Sequence, residues 1–141
     1  MRHETLVFQQ DLRRWAQRCR SLAALDFHAP GASENSGIYA FLRSSDNFPQ
    51  VATQATNWAN VFAQALGPEL AAQRFIRSAD YPSRWNTSSF AAFCQDELRT
   101  PALCAETRHT MIGQAVLTRR DYQAAGRLIA DVIAHRAQHT D

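Results

Sequence analysis

The stretch that decides the fold is Leu22-Ala23-Ala24-Leu25-Asp26-Phe27-His28-Ala29-Pro30, an apolar run that ends in a histidine and stops at a proline. A short apolar run bounded in this way is typical of a buried strand. Such a strand presents His28 at its carboxyl end, where α/β proteins usually bind their ligands. The segment Pro101-Ala102-Leu103-Cys104-Ala105-Glu106-Thr107 repeats the pattern with Glu106 at its tip. We therefore expect His28 and Glu106 to face the same crevice.

Strands and helices alternate on both sides of these two segments. Apolar residues that recur every three or four positions indicate helices, and short continuous apolar runs indicate strands. The first half of the chain is predicted to form a helix over residues 8–19, a strand ending at His28, a strand over 38–42 and a helix over 51–66 that ends at Gly67-Pro68. The second half is predicted to form a short strand over 74–78, a helix over 88–98 capped by Thr87 or Ser88, and a strand ending at Glu106. A last helix starts with a capping box at Thr118 and Asp121. This alternation predicts one α/β domain over residues 1–141, with a mostly parallel or mixed sheet flanked by helices.

The composition is ordinary for a soluble globular protein, with 45% hydrophobic and 20% charged residues. The net charge is only +2 and the arginines are scattered, so we expect no nucleic-acid partner. All 15 basic residues are arginine, which excludes a Schiff-base lysine. Three cysteines form neither an even disulfide framework nor a CxxC pattern. The sequence shows no signal peptide and no membrane span, and a cytoplasmic location is predicted.

His28 is the first candidate functional residue. A neutral imidazole at a strand end is a suitable zinc ligand, because a ring nitrogen can point into the crevice. Asp26, two residues earlier, lies on the same face of the strand, where its carboxylate can orient a neighbouring group. The alternative is a histidine that only caps the strand with ordinary hydrogen bonds.

Glu106 is the second candidate. Burial of a carboxylate at the end of an apolar strand is unfavourable unless the group is paired or bound to a metal. A glutamate beside an activated water is the arrangement of a general base. The alternative is an ion pair with an arginine, and Arg108 is close in the sequence.

Three further features carry weaker predictions. Trp85 and Asn86 lie in a loop before the third helix and are candidates for substrate contact, or for the start of that helix. Glu106 and His109 have Glu-x-x-His spacing, but they follow a strand instead of lying on a helix. Cys104 is interpreted as a buried structural thiol, because no His–Asp pair is adjacent to it in the sequence.

Together these residues resemble the zinc metallocarboxypeptidases, the carboxypeptidase A-like family, and in particular its succinylglutamate desuccinylase-like relatives. Leu25-Asp26-Phe27-His28 is similar to the family's Leu-Asp-Leu-His strand, whose histidine is a zinc ligand. Ala105-Glu106-Thr107 is similar to the strand that carries the catalytic glutamate, and Trp85-Asn86-Thr87 to a segment ahead of the next helix. Residues 33–41 and 118–126 also resemble segments of that family, so that the resemblance extends from the first helix to about residue 135.

The resemblance implies a zinc-dependent hydrolase with His28 as a metal ligand and Glu106 as the general base. In that family a metal-bound water attacks an amide, so a peptide or an N-acyl amino acid is the implied substrate. Trp85 and Asn86 are the residues that would contact this substrate.

The chain departs from the family at the other zinc ligands. The family's first two ligands form an upstream His-x-x-Glu motif, and no histidine of this chain has a glutamate three residues later. The resemblance therefore covers the C-terminal half of the fold only. Because zinc sites use three or four protein ligands, His28 alone predicts weak or absent zinc binding and no activity without a complementing chain.

A second interpretation is a non-catalytic α/β remnant that acts as an interaction module. Half of a sheet leaves an exposed edge, and an exposed edge strand pairs readily with another chain. On this interpretation the chain forms a homo-oligomer or docks on a partner through that edge.

Overall fold

Four strands form one mixed sheet in the computed structural model, which describes residues 3–29, 36–45, 47–80, 88–107 and 111–139. The strands are β1 (Ala24–His28), β2 (Ile38–Leu42), β3 (Ala71–Ser78) and β4 (Ala102–Glu106). Their order across the sheet is β1-β4-β2-β3. β1 is parallel to β4 and β2 is parallel to β3, whereas β2 and β4 are antiparallel. The predicted α/β class and the mixed sheet are confirmed.

Helices cover both faces of this sheet. They are α1 (His3–Ala16), α2 (Pro49–Leu70), α3 (Phe90–Asp96) and α4 (Arg119–Gln138), and a small hairpin of β5 (Met111–Ile112) and β6 (Ala115–Val116) precedes α4. α2 and α4 pack on one face, and α3 packs against β1 and β4 on the other. No helix within the described ranges is both long and apolar enough to cross a membrane.

The larger hydrophobic core lies between the sheet and the α2–α4 pair. The aromatic rings of Trp58 and Phe62 pack 5.6 Å apart on the inner face of α2. Leu103 of β4 is 1% exposed and packs in the same cluster as Ile129 of α4. The buried side chains of α2 and α4 recur at three- and four-residue spacing, so the helical part of the core follows directly from the sequence pattern.

The kink in α2 and the start of α4 both follow from local residues. Gly67 has a φ of 68°, which kinks α2 at the predicted Gly-Pro pair, but helical residues continue to Leu70, so the predicted end of the helix at residue 66 is wrong. The carboxylate of Asp121 accepts a hydrogen bond of 2.7 Å from the amide of Thr118, as the predicted capping box requires.

The start of α3 differs from the prediction. The N-cap is Ser89, whose hydroxyl accepts a hydrogen bond of 3.2 Å from the amide of Ala92. Adjacent hydroxyl residues are equally good caps, and the choice depends on which register buries Phe93 and Cys94 against Ala102.

The helix predicted over residues 8–19 forms, but it ends at Ala16 and leaves Cys19 outside. Its apolar stripe is only lightly packed, since Phe8 and Trp15 are about half exposed. Leu12 contacts the core of α3, and the ring of Phe8 lies 5.9 Å from that of Phe90. The periodicity predicted the helix correctly, while the short α3 offers too little surface to bury the whole stripe.

Candidate metal centre

The carboxyl ends of β1 and β4 bring four polar side chains together. The register of this parallel pair sets His28 opposite Glu106 and Asp26 opposite Cys104. Alternate residues of a strand share one face, so all four side chains lie on the α3 side of the sheet. The pairing of the strands therefore sets His28 and Glu106 side by side on one face of the sheet.

Local hydrogen bonds hold the end of β1 in place. The amide of Thr107 donates to the carbonyl oxygen of His28 at 2.8 Å, and its hydroxyl donates to the same oxygen at 3.2 Å. These bonds extend the β1–β4 pairing by one residue beyond Glu106. The backbone at His28 is thus fixed although its imidazole is exposed.

Three potential metal ligands converge around the imidazole. Nδ1 of His28 lies 3.0 Å from Oδ1 of Asp26 and 3.5 Å from Sγ of Cys104. The ligand atoms of these three residues all lie within 4.8 Å of one another. The predicted relation between Asp26 and His28 is confirmed, and Cys104 joins them.

This cluster does not have the geometry of a cysteine nucleophile. In a nucleophilic triad the carboxylate and the nucleophile contact opposite nitrogens of the histidine. Here Asp26 and Cys104 both approach Nδ1 of His28. Burial, and then the charges of Glu106 and Asp26, raise the pKa of the Cys104 thiol to about 12, so the thiol is protonated at neutral pH.

The donor set fits a zinc ion. Imidazole nitrogen, carboxylate oxygen and cysteine sulfur are all ordinary zinc ligands. From ordinary zinc–ligand bond lengths, tetrahedral geometry places nitrogen and oxygen about 3.3 Å apart and nitrogen and sulfur about 3.6 Å apart. The corresponding distances of 3.0 and 3.5 Å from His28 to Asp26 and Cys104 are close to these values.

Glu106 lies beside the cluster without belonging to it. Its Oε1 accepts a hydrogen bond from the Cys104 thiol at 3.7 Å. Its Oε2 is buried and has no hydrogen-bond partner among the described residues. A buried carboxylate oxygen without a partner destabilises the folded protein. Its presence favours a function for Glu106 in contact with a ligand.

The next strand continues this polar face. Tyr39 of β2 lies opposite Glu106 in the antiparallel pair, so its side chain is on the same face. The guanidinium of Arg77 lies 3.5 Å from the centroid of the Tyr39 ring and donates to the hydroxyl of Ser36 at 2.5 Å. The Arg77 guanidinium is thus stacked on the residue that lies opposite Glu106 in the β2–β4 pair.

Sequence reasoning missed the contact between Cys104 and His28. The prediction of a buried thiol is wrong, because Cys104 is only half-buried, and its Sγ lies 3.5 Å from Nδ1 of His28. Asp26-x-His28 and Cys104-x-Glu106 have the same spacing and each ends a predicted strand, but the sequence analysis did not predict that the two strands pair. Trp85, Asn86 and His109 lie outside the described residues, and so does Arg108.

Comparisons with protein-family models, with curated proteins and with solved structures find no match to this chain. The geometry of the site therefore carries the functional argument. The likeness to zinc carboxypeptidases stays a prediction from the sequence.

Proposed function

We propose that this protein is a metal-dependent amidohydrolase related to the zinc carboxypeptidases. The observation that carries the proposal is the convergence of three metal-ligating atoms at the carboxyl ends of two parallel strands, next to the carboxylate of Glu106. Catalytic zinc sites use three protein ligands and leave one position open. Asp26, His28 and Cys104 supply that number within this chain.

The ligand set differs from the family pattern, and this changes the expected metal affinity. The prediction of weak zinc binding counted His28 as the single well-placed ligand. Asp26 and Cys104 provide the two missing donors from the same pair of strands, so we propose one zinc per chain without an upstream His-x-x-Glu segment. Zinc binding displaces the proton of Cys104, because the thiolate is the ligand.

Glu106 acts as the proton carrier in this proposal. A zinc ion held by the cluster supplies a Lewis acid that polarises a carbonyl group and acidifies water. As water adds to the amide carbon, Glu106 accepts its proton. Glu106 then passes the proton to the leaving amine when the carbon–nitrogen bond breaks. Peptides and N-acyl amino acids are the proposed substrates.

The first test measures metal binding and hydrolysis separately. Isothermal titration of the wild-type protein with zinc should give one site per chain, and His28→Ala or Cys104→Ala should weaken it at least about 100-fold. Cys19→Ser is the matched control, because this thiol is exposed and lies outside the cluster. Loss of zinc binding in that control would contradict the assignment.

The second test addresses Glu106. Glu106→Gln should keep zinc affinity within a few-fold and reduce the hydrolysis of a panel of N-acetyl amino acids by about 100-fold or more. If the variant hydrolyses these substrates at the wild-type rate, Glu106 is not the general base. If the wild-type protein binds zinc but hydrolyses none of these substrates, the metal site is supported and the proposed hydrolase activity is refuted.

A second candidate function rests on the edge of the sheet. β1 is an edge strand, and the side chain of Phe27, which lies on the opposite face from His28, is 52% exposed. An exposed aromatic residue on an edge strand favours pairing with a second copy of the chain. Sedimentation at several concentrations tests this, and Phe27→Ser should shift the equilibrium toward monomer if the edge is an interface.

A further inference from the structure

A cavity of about 420 Å³ lies at the opposite end of β1 and β4 from the metal centre. Its wall includes Ser21 and Leu22, which precede β1, and Pro101, which precedes β4. Trp58 of α2 forms another part of the wall. Because β1 and β4 are parallel, the cavity is at their amino ends and is separate from the metal centre.

Three arginines line this cavity: Arg20, Arg99 and Arg136. No acidic residue is among the described residues of its wall. Gln54 and Asn57 add amide groups that can donate or accept hydrogen bonds. Guanidinium and amide groups around one concave surface offer several hydrogen-bond donors to an anion.

The backbone of Arg99 indicates that its side chain has a role. Its φ is 54°, in the left-handed region where glycine is more stable than a residue with a Cβ. Arg99 closely follows α3, where glycine is the usual residue in this conformation. The turn is closed by a hydrogen bond of 3.0 Å from the amide of Thr100 to the carbonyl oxygen of Cys94. The Arg99 guanidinium stacks on the ring of Phe48, with its Cζ 3.0 Å from the ring centroid, so this side chain is held in place before any ligand binds.

Arg136 is held in place by the core. Its guanidinium lies 4.9 Å from the centroid of the Trp58 ring, and Trp58 is only 5% exposed. Stacking on a fixed indole restricts the guanidinium before any ligand arrives. A restricted side chain loses less conformational entropy when it binds, so this arginine is prepared for an anion.

We propose that this cavity binds a small molecule that carries a phosphate group. Guanidinium groups match phosphate oxygens with paired hydrogen bonds, and a phosphate offers more acceptor oxygens to several donors than one carboxylate does. Small-molecule sites span roughly 300–1,000 Å³, and the cavity falls in this range. The proposal is independent of the metal centre and of hydrolysis.

The experiment is a calorimetric titration of the zinc-free protein with pyrophosphate at constant ionic strength. One site per chain is expected, and Arg99→Gly or Arg136→Gln should lower the affinity about tenfold or more. Arg74→Gln is the matched control, because Arg74 is exposed on β3 and is not part of the wall. Arg99→Gly relieves the strained backbone but removes the stacking on Phe48, so it should fold about as well as the wild-type protein.

Acetate is the second probe and distinguishes phosphate from carboxylate recognition. It should bind at least tenfold more weakly than pyrophosphate. The proposal is overturned if pyrophosphate shows no binding at millimolar concentration, if acetate binds as tightly, or if Arg74→Gln loses as much affinity as Arg99→Gly.

Discussion

The two ends of the β1–β4 pair differ in charge and in what they can bind. The carboxyl ends present Asp26 and Glu106 beside His28, a set that suits a cation. At the amino ends, three arginines line a cavity whose described wall has no acidic residue, which suits an anion. β1 and β4 have five residues each and are therefore roughly 13 Å long. This length is enough to separate a group of side chains that suits a cation from one that suits an anion.

The short helix α3 explains why both ends stay accessible. It has seven residues and is therefore about 10 Å long. Its buried Phe93 and Cys94 pack on Ala102, at the start of β4, and partly on Ala24, at the start of β1. The polar residues two and four positions further along each strand lie beyond these contacts. The turn that follows α3 then brings Arg99 to the cavity.

The largest expected effect separates the two faces of β4. Leu103→Ala should lower the free energy of unfolding by about 2–5 kcal/mol, because Leu103 is 1% exposed in the main core. Cys104→Ser, on the opposite face, should lower it by less than about 1 kcal/mol. Urea unfolding of the two variants measures both values. Equal losses would show that Cys104 is a core residue and not part of a site.

Ligand-induced stabilisation should distinguish the two ends of the strands. Zinc or pyrophosphate at 100 times its dissociation constant should each raise the free energy of unfolding by about 2.7 kcal/mol. His28→Ala should abolish the zinc effect alone, and Arg99→Gly the pyrophosphate effect alone. Thermal unfolding with each ligand is the measurement, and a variant that loses both effects would contradict two separate sites.

The thiols predict how stability changes with pH. Burial raises the pKa of Cys94 to about 11 and that of Cys104 to about 12, above the ordinary value of 9.0. Above pH 9 the unfolded chain releases these protons before the folded chain does. The metal-free protein should therefore lose stability as the pH rises from 9 toward 11.

Urea unfolding at pH 8 and pH 10 checks this dependence. A variant with both Cys94→Ala and Cys104→Ala should show a smaller decrease than the wild-type protein between the two pH values. Cys19→Ser, which changes an exposed thiol, is the control. If the free energy of unfolding of the double variant decreases as much as that of the wild-type protein, groups other than these thiols cause the loss of stability at high pH.

The smallest expected effect is at Arg99. Arg99→Gly should change the free energy of unfolding by less than about 1 kcal/mol, because glycine adopts a φ of 54° without a steric penalty while the stacking on Phe48 is lost. Urea unfolding in the absence of anions measures it. A loss of more than about 1 kcal/mol would show that the stacking of Arg99 on Phe48 holds the turn, and the arginine there would need no ligand.

Sequence reasoning succeeded where a structural element depends on nearby residues. The strand over Ile38–Leu42 and the ends of β1 and β4 at His28 and Glu106 were predicted at the observed residues. Short apolar runs with Pro or Gly beside them encode such strands locally. Gly67 kinks α2 for the same reason, since it is free to adopt a positive φ.

The errors arose where the outcome depended on distant residues. Cys104 contacts His28 across a separation of 76 residues, and no local pattern reports such a pair. The exposure of Phe8 and Trp15 depends on how little of α1 the short α3 can cover. The N-cap at Ser89 likewise depends on which helix register buries Phe93.

The sequence by itself determined the alternation of strands and helices and placed His28 and Glu106 at strand ends, because hydrophobic periodicity and chain-breaking residues act over a few positions. Only the tertiary structure decided that β1 pairs with β4 in the register that sets Asp26 opposite Cys104. That register is a property of the packed sheet as a whole. The physical reason is that strand pairing gains its free energy from contacts between residues far apart in the chain, which no single segment encodes.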